Sequence, residues 1–383
     1  MQNVANKALQ SIQDLLPVIK ERAPEFESMR RVPDDLVEDL KAAGLFRTLV
    51  PKSYGGEGAS LTEAMELLEA MGSADGSIAW VMMAAIETPE IMALLPKSTF
   101  DKLYANGPNV LAGGAFAGQG MARVVDGGYM VSGRWPFVSG CHIWDYIFVN
   151  CAVVDENNEV KSDHESSMAM LFRRDQVKII DTWHTMGARA TGSHDIVIEE
   201  EIFVPHDHTF NIRFGRPCIP DIFPYPLIHW AFHICSVVLG IAEGAYQDVL
   251  EIVKTKQRRS MKTTLGKTPL IQHRLGRVET TLRALRHFLY SEARQIMNAD
   301  VEKMDYIGTV ATVYANHAYI AQTCVDLVNT LFNISGASSI YNHSPLQRRL
   351  RDIYSFAQHA SLNDNSITRY GAYLLGEKID MTF

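Results

Sequence analysis

The chain has 383 residues, more than one hydrophobic core ordinarily supports, so two or three packed units are expected. Hydrophobic residues at 47% and charged ones at 21% exclude a disordered chain, and a formal net charge of -8 argues against nucleic acid, whose binding leans on Lys and Arg neutralising phosphates. The five cysteines are odd in number and never in C-x-x-C spacing, which indicates neither a disulfide framework nor a zinc knuckle and suits reduced thiols in a cytoplasmic protein.

The opening residues turn charged before an apolar core of secretory type develops, and Ile12, Leu15, Leu16, Val18 and Ile19 fall at helical spacing. Leu36, Leu40 and Leu45 repeat the pattern after a Pro33 start, Met65, Leu68 and Met71 carry another helix, and residues 78–95 carry a further one stopped by Pro96. Residues 1–108 are therefore expected to form a helical domain. From Asn109 the texture changes to alternating runs, RVVDGGYMVSGRW, YIFVNCAVV, SMAMLFRR, VKIID and HDIVIEEEIFVP, with DGG marking a hairpin. Such runs without intervening helices predict an antiparallel barrel or sandwich over residues 109–213. Long helical patterns return over residues 237–253, 269–297 and 301–334, the last stopped by Gly336, and predict a four-helix bundle over residues 214–383. The fold class is thus α+β: helical domain, β-domain, helical bundle.

RLRDIYSFAQHASLND supplies the last long helix of that bundle, with Leu346, Leu350, Ile353, Ala357 and Ala360 on an apolar stripe and Asp352, Phe356, His359 and Asn363 on the neighbouring face. His359 so placed is either a core histidine or an acid/base group. The most apolar stretch, residues 227–242, contains His229 and His233 and falls short of the about 18–20 residues that spanning a bilayer requires, so no membrane span is expected.

Three segments can carry chemistry. In GRWPFVSGCHIWDY the planes of Trp135 and Phe137 can stack on a flat heterocycle, with the Ser139 hydroxyl and the backbone amides beside Gly140 at its edge; a β-domain core explains the aromatics equally well. Thr191, Gly192 and Ser193 form a small polar turn that permits close approach of a planar ligand or phosphate, against ordinary turn chemistry as the alternative. KTKQRRSMKTTLG puts Lys256, Arg258 and Arg259 at a helix end, where they can meet a phosphate or simply be solvated. The pair His229 and His233 in HWAFH lacks the Glu of an HExxH site, so no metal is expected.

The strings LVPKSYGGEGASL, VDGGYMVSGRW, MGARATGSHDIVIEEEIFVP, LGIAEGAYQDVLEIV and SGASSIYNHSPLQRRLRDI, in that order, resemble the acyl-CoA dehydrogenase fold across essentially the whole chain. The dehydrogenases proper commonly carry a catalytic Glu in a YEGT-like string; here the segment reads AQHASL, and Ala360 cannot abstract a proton. The sequence is more similar to the oxygenase components of two-component flavin-dependent monooxygenases. That resemblance implies a homotetramer using reduced FMN or FAD from a separate flavin reductase, forming a C4a-hydroperoxyflavin with O2, and hydroxylating a small aromatic substrate of phenol or indole type. It implies Ser139 at flavin N5, Trp135, Phe137, Gly140, Thr191, Gly192 and Ser193 around the ring, Arg258 at a phosphate, and His359 as the base that deprotonates a phenol, a task suited to an imidazole with a pKa near 7. Related phenol hydroxylases often place a histidine in the segment that here reads VMMAAIETPEIM; Glu87 stands there instead, either lining the pocket for an N–H or cationic group or exposed on a helix. An acyl-CoA dehydrogenase-like FAD enzyme, a sulfur or nitrogen oxygenase, and a catalytically silent flavin-binding protein of the same fold are the rivals.

Overall fold

In the computed structural model, which describes residues 7–155, 159–160, 166–257 and 262–379, helices precede and follow one sheet. The leading helices are α1 (Lys7–Ile12), α2 (Leu15–Met29), α3 (Asp34–Ala42), α4 (Leu61–Ala74), α5 (Gly76–Ile86), α6 (Thr88–Met92) and α7 (Lys97–Leu103). Local chemistry sets their starts. Ser60 and Glu63 close a capping box on α4, and the Asp75 carboxylate accepts from the Ile78 amide at the start of α5. Every residue of α5 except Ala84 is buried, as expected for a helix apolar on all sides. The single helix expected over residues 78–95 is corrected: α5 stops at Ile86, and α6 opens at Thr88, directly after Glu87, with Pro89, which has no N–H to donate, in its first turn.

Strands β1 (Ala112–Val125) and β2 (Gly128–Val138) form the hairpin marked by DGG. With β3 (Tyr146–Val154), β4 (Ser167–Arg173), β5 (Lys178–Ile180), β6 (His194–Pro205) and β7 (Thr209–Phe210) they make one seven-stranded sheet in the order β5-β6-β2-β1-β3-β4-β7. The expected antiparallel barrel or sandwich is corrected to a mixed sheet. After β2 the chain crosses over and enters β3 beside the start of β1, pairing Tyr146 with Ala112 in parallel, and no pairing among the described residues joins β5 to β7. Alternation reveals that a run is a strand but not which strand it pairs with.

The remaining helices are α8 (Pro226–Thr255), α9 (Pro269–Met297), α10 (Tyr306–Ser335), α11 (Pro345–Phe356) and α12 (Asp364–Leu374). By length and composition α8 could cross a membrane, but 89% of its apolar window is buried inside the fold, where it packs on α4, α5, α10 and α11 as a core helix. The last long helix expected from the sequence is broken in two. α11 ends at Phe356, and the Asn363 side chain caps α12 by accepting from the Asn365 amide. His359 therefore sits in the turn between two helices, not on a helix face.

Candidate active site

A β-bulge builds one wall. Trp135 pairs with Ile196 and Val138 with His194, so two residues of β2 oppose one of β6, and Phe137 is turned out of the sheet at φ 62°. Its ring is 69% exposed and meets Trp183 edge-on at 6.0 Å. Trp135 goes the other way: it is fully buried, its indole N–H donating to the Asn150 carbonyl at 2.9 Å. The expectation that Trp135 contacts a cofactor is thus corrected, because the ring lies in the sheet's core with no surface left for a ligand.

Beyond the bulge the chain meets the turn before β6. The Gly140 amide donates to the Thr191 carbonyl at 2.8 Å, the Ser139 amide to Phe137 and the Cys141 amide to Val138, so the backbone donors expected beside Gly140 are already engaged. Hydroxyls are what the turn presents. Thr191 Oγ1 donates to the Ala188 carbonyl at 2.8 Å, Ser193 Oγ lies 2.6 Å from Thr191 Oγ1, and Ser139 Oγ lies 2.7 Å from Ser193 Oγ. Each hydroxyl has one proton, so Thr191 giving its own to Ala188 makes Ser193 the donor to Thr191 and Ser139 the donor to Ser193. Ser139 Oγ is left with acceptor lone pairs. Two glycines allow this approach: Gly140 has φ +69°, and a Cβ there would lie 2.6 Å from Trp144 and 2.7 Å from Val81; Gly192 has φ +54°, and its Cβ would lie 2.8 Å from the Arg30 carbonyl.

Helices form the opposite wall. The Ala188 amide donates to Asp352 Oδ1 of α11 at 2.7 Å, and Arg351 donates to the Met186 carbonyl, which fastens the hydroxyl turn to α11. On α5, Val81 abuts Gly140 while its neighbour Trp80 stacks on Phe356 at 4.5 Å and meets the His359 ring edge-on at 5.4 Å. One buried helix therefore joins the hydroxyl turn to His359. The His359 Nδ1 lies 2.7 Å from Ser361 Oγ and accepts from the Ser361 amide at 3.3 Å. Burial pushes this imidazole down to about 4, below the value near 7 expected of a base.

Asp352 titrates in the opposite sense. Burial, then the charge of Asp75, push its carboxyl from 3.8 up to about 7. An acid whose folded pKa exceeds its unfolded one binds protons more tightly when folded, so its contribution to stability falls as pH rises from about 4 to about 7. Asp352→Asn keeps an acceptor for the Ala188 amide but does not ionise. Its thermal midpoint should fall less steeply over that interval than the parent's, and equal slopes in a pH series of melting curves would refute the assignment.

Glu87 is 4% exposed, which corrects the exposed-helix alternative. Its Oε1 lies 3.0 Å from His233 Nδ1, while Glu90 takes His229 Nδ1 at 2.9 Å and the Trp230 indole N–H at 3.1 Å. The four-residue spacing in HWAFH thus presents two imidazoles to two carboxyls rather than to a metal, and no metal-binding group of His, Cys, Asp or Glu occurs among the described residues. Burial raises the Glu87 carboxyl well above its usual range; for Glu90 burial is outweighed by the charge and hydrogen bond of His229, and its carboxyl is lowered. The Nε2 atoms of His229 and His233 are buried without hydrogen-bond partners among the described residues. Trp80 and Glu87 are seven residues apart, two helical turns, so they share a face about 10 Å apart. The sequence gives no signal for Trp80, Ser361 and Glu90, and it places Phe356 on the face of His359 without a role. Arg258 lies outside the described residues.

An exposed aromatic ring, a file of hydroxyls with a free acceptor and a helical wall of aromatics suit a flat heterocyclic cofactor. The acyl-CoA dehydrogenase N-terminal domain family matches residues 13–94, and the acyl-CoA dehydrogenase C-terminal domain family matches residues 232–364. The chain is 32% identical over 373 residues to an indole-3-acetate monooxygenase of Pseudomonas putida, covering 95% of this chain and 93% of that protein. It is 27% identical to the flavin-dependent monooxygenase oxygenase subunit HsaA of Rhodococcus jostii, over 98% of this chain and all of that one. XiaF from Streptomyces sp., solved with FADH2 and glycerol, shares the fold with a TM-score of 0.91 at 24% identity over 98% of this chain and 97% of that one. The chain belongs to the flavin-dependent monooxygenases built on the acyl-CoA dehydrogenase fold.

Proposed function

We propose that this protein is the oxygenase component that hydroxylates a small electron-rich aromatic substrate of phenol or indole type, using O2 and reduced FMN or FAD delivered by a separate reductase. The observation that supports the proposal is that α5 touches both groups, Val81 abutting Gly140 beside the Ser139–Ser193–Thr191 hydroxyls and Trp80 meeting His359. The oxygenase relatives and the aromatic acid in the name of the Pseudomonas putida enzyme support it. When bound, the reduced flavin supplies the two electrons that split O2 between substrate and water. Phe137 would lie on the ring, and Gly140, Gly192 and the three hydroxyls would line its edge. Trp80 and Phe356 keep the cleft apolar and exclude the water that promotes loss of hydrogen peroxide. At the far end of α5 the Glu87–His233 pair would take a polar group of the substrate; burial raises the Glu87 carboxyl well above its usual range and so disfavours its anionic form, which favours a neutral N–H over a cation.

A homotetramer is part of the proposal, supported by exposed Leu270, Phe288 and Met297 on α9 and Ile307 and Tyr319 on α10. Five free cysteines, four of them buried, suit a reducing cytoplasm. The test supplies chemically reduced flavin and labelled O2 to the purified chain with phenols, indoles, aryl amines and sulfides. Ring-hydroxylated product carrying one labelled atom is expected from the phenols or indoles. Sulfoxide or N-oxide formation with no ring product would move the protein to the heteroatom oxygenases.

A further inference from the structure

The turn after α11 fixes more than the position of the His359 ring. The Ser361 amide donates to Nδ1 at 3.3 Å, and a ring nitrogen that accepts from a backbone N–H carries no proton of its own. Neutral imidazole has one N–H, so in this turn it belongs to Nε2. Ser361 Oγ, 2.7 Å from Nδ1, completes the arrangement as a second donor. The reverse tautomer would set Nδ1–H against the amide of Ser361, a residue only 4% exposed, and leave that amide without its acceptor. Nε2 lies on the opposite edge of the ring, directed away from the turn, and meets no hydrogen-bond partner among the described residues. What packs on the ring is Trp80 from α5, which is not titratable; burial alone depresses its pKa, and no charged side chain among the described residues shifts it.

Resting on the cleft assignment above, we propose that His359 meets the substrate as a hydrogen-bond donor through Nε2–H, fixed in that tautomer by the Ser361 turn, and that it recognises an anionic oxygen of the aromatic substrate. The oxygen is a phenolate on the ring or a carboxylate on a short side chain. Either has lost its proton to solvent before binding, so no proton passes to His359. In a dry cleft a neutral donor facing an anionic oxygen makes a charge-assisted hydrogen bond, and for a phenolate it holds the ring in its electron-rich form. Ser361 is the positioning residue of this arrangement.

Two variants separate a donor from a base. His359→Gln can keep an N–H near the position of Nε2 but cannot take up a proton at neutral pH; His359→Leu keeps bulk alone. With phenols of graded acidity and with indole-3-acetate, reduced flavin and O2, kcat/KM of the Gln variant should stay within about tenfold of the parent and that of the Leu variant should fall about a hundredfold. Equal loss in both overturns the proposal in favour of a base. For each phenol kcat/KM should rise to a plateau at that phenol's own pKa, and for indole-3-acetate it should stay flat over the same range while its neutral amide reacts poorly. One inflection common to all substrates overturns the proposal, and the phenol and carboxylate arms show which oxygen is recognised. Independently of turnover, 15N spectra of histidine-labelled protein, with His359 assigned by comparison with the Gln variant, should show Nδ1 unprotonated and Nε2 protonated; the reverse overturns the tautomer. If neither substitution alters activity on any substrate, the cleft assignment itself fails, whatever the tautomer.

Discussion

Trp80→Ala is expected to destabilise the protein by about 3–5 kcal/mol and to abolish hydroxylation that is coupled to flavin oxidation. The side chain is 9% exposed on a helix with almost no solvent-facing residue, so its loss opens a cavity that α5 cannot collapse around. Two contacts go with it: the stack on Phe356, with planes 18° apart, and the edge that steadies His359. The cavity would lie beside Phe356 and His359 and admit water to the part of the proposed cleft that must stay dry. Trp80→Phe keeps the stack with a smaller ring and should recover most of the stability and part of the coupling. Denaturant unfolding measures the first effect, and the ratio of hydroxylated product to hydrogen peroxide the second. An Ala variant with parental stability and parental ratio would remove Trp80 from the site.

Much of the fold was legible because periodicity is local. Apart from the breaks after Ile86 and Phe356, the helical spacing of the two ends, the alternating runs between them and the DGG hairpin appear where the residues predicted. What was not legible lies in pairings between distant segments. Trp135 and Phe137 are two apart on an alternating strand, which puts them on one face; only the bulge against β6 sends one into the core and leaves the other exposed. The apolar stripe from Leu346 to Ala360 continues at helical spacing past the real end of α11, because periodicity does not register that the His359 and Asn363 side chains accept from the Ser361 and Asn365 amides with turn geometry instead. The burial of Glu87 depends on His233, 146 residues along the chain, and no local pattern carries that contact. The small hydroxyl residues of the Thr191 turn were visible as residues, whereas the direction of their hydrogen bonds required the Ala188 carbonyl to be in place.

That direction gives Ser139→Ala its expected result: about a tenfold rise in hydrogen peroxide released per reduced flavin consumed, with a loss of affinity for reduced flavin that exceeds the loss for oxidised flavin. Because Thr191 donates to Ala188, the donors run from Ser139 through Ser193 to Thr191, and Ser139 Oγ keeps acceptor lone pairs for a group in the proposed cleft. An acceptor pairs with an N–H. The central ring of a reduced isoalloxazine bears one where the oxidised ring has a bare nitrogen, so the same hydroxyl bonds the reduced form in its resting direction and must turn its proton away from Ser193 to bond the oxidised form. Thr191→Val should act in the same sense but less strongly, because without the Thr191 acceptor Ser193 can donate back to Ser139, whose proton is then free to face the cleft. Anaerobic titrations with reduced flavin and aerobic titrations with oxidised flavin give the two affinities, and a peroxide assay gives the coupling. If Ser139→Ala leaves both the affinity ratio and the peroxide yield at parental values, the hydroxyl file does not border the cofactor, and Phe137 alone would mark that wall of the cleft.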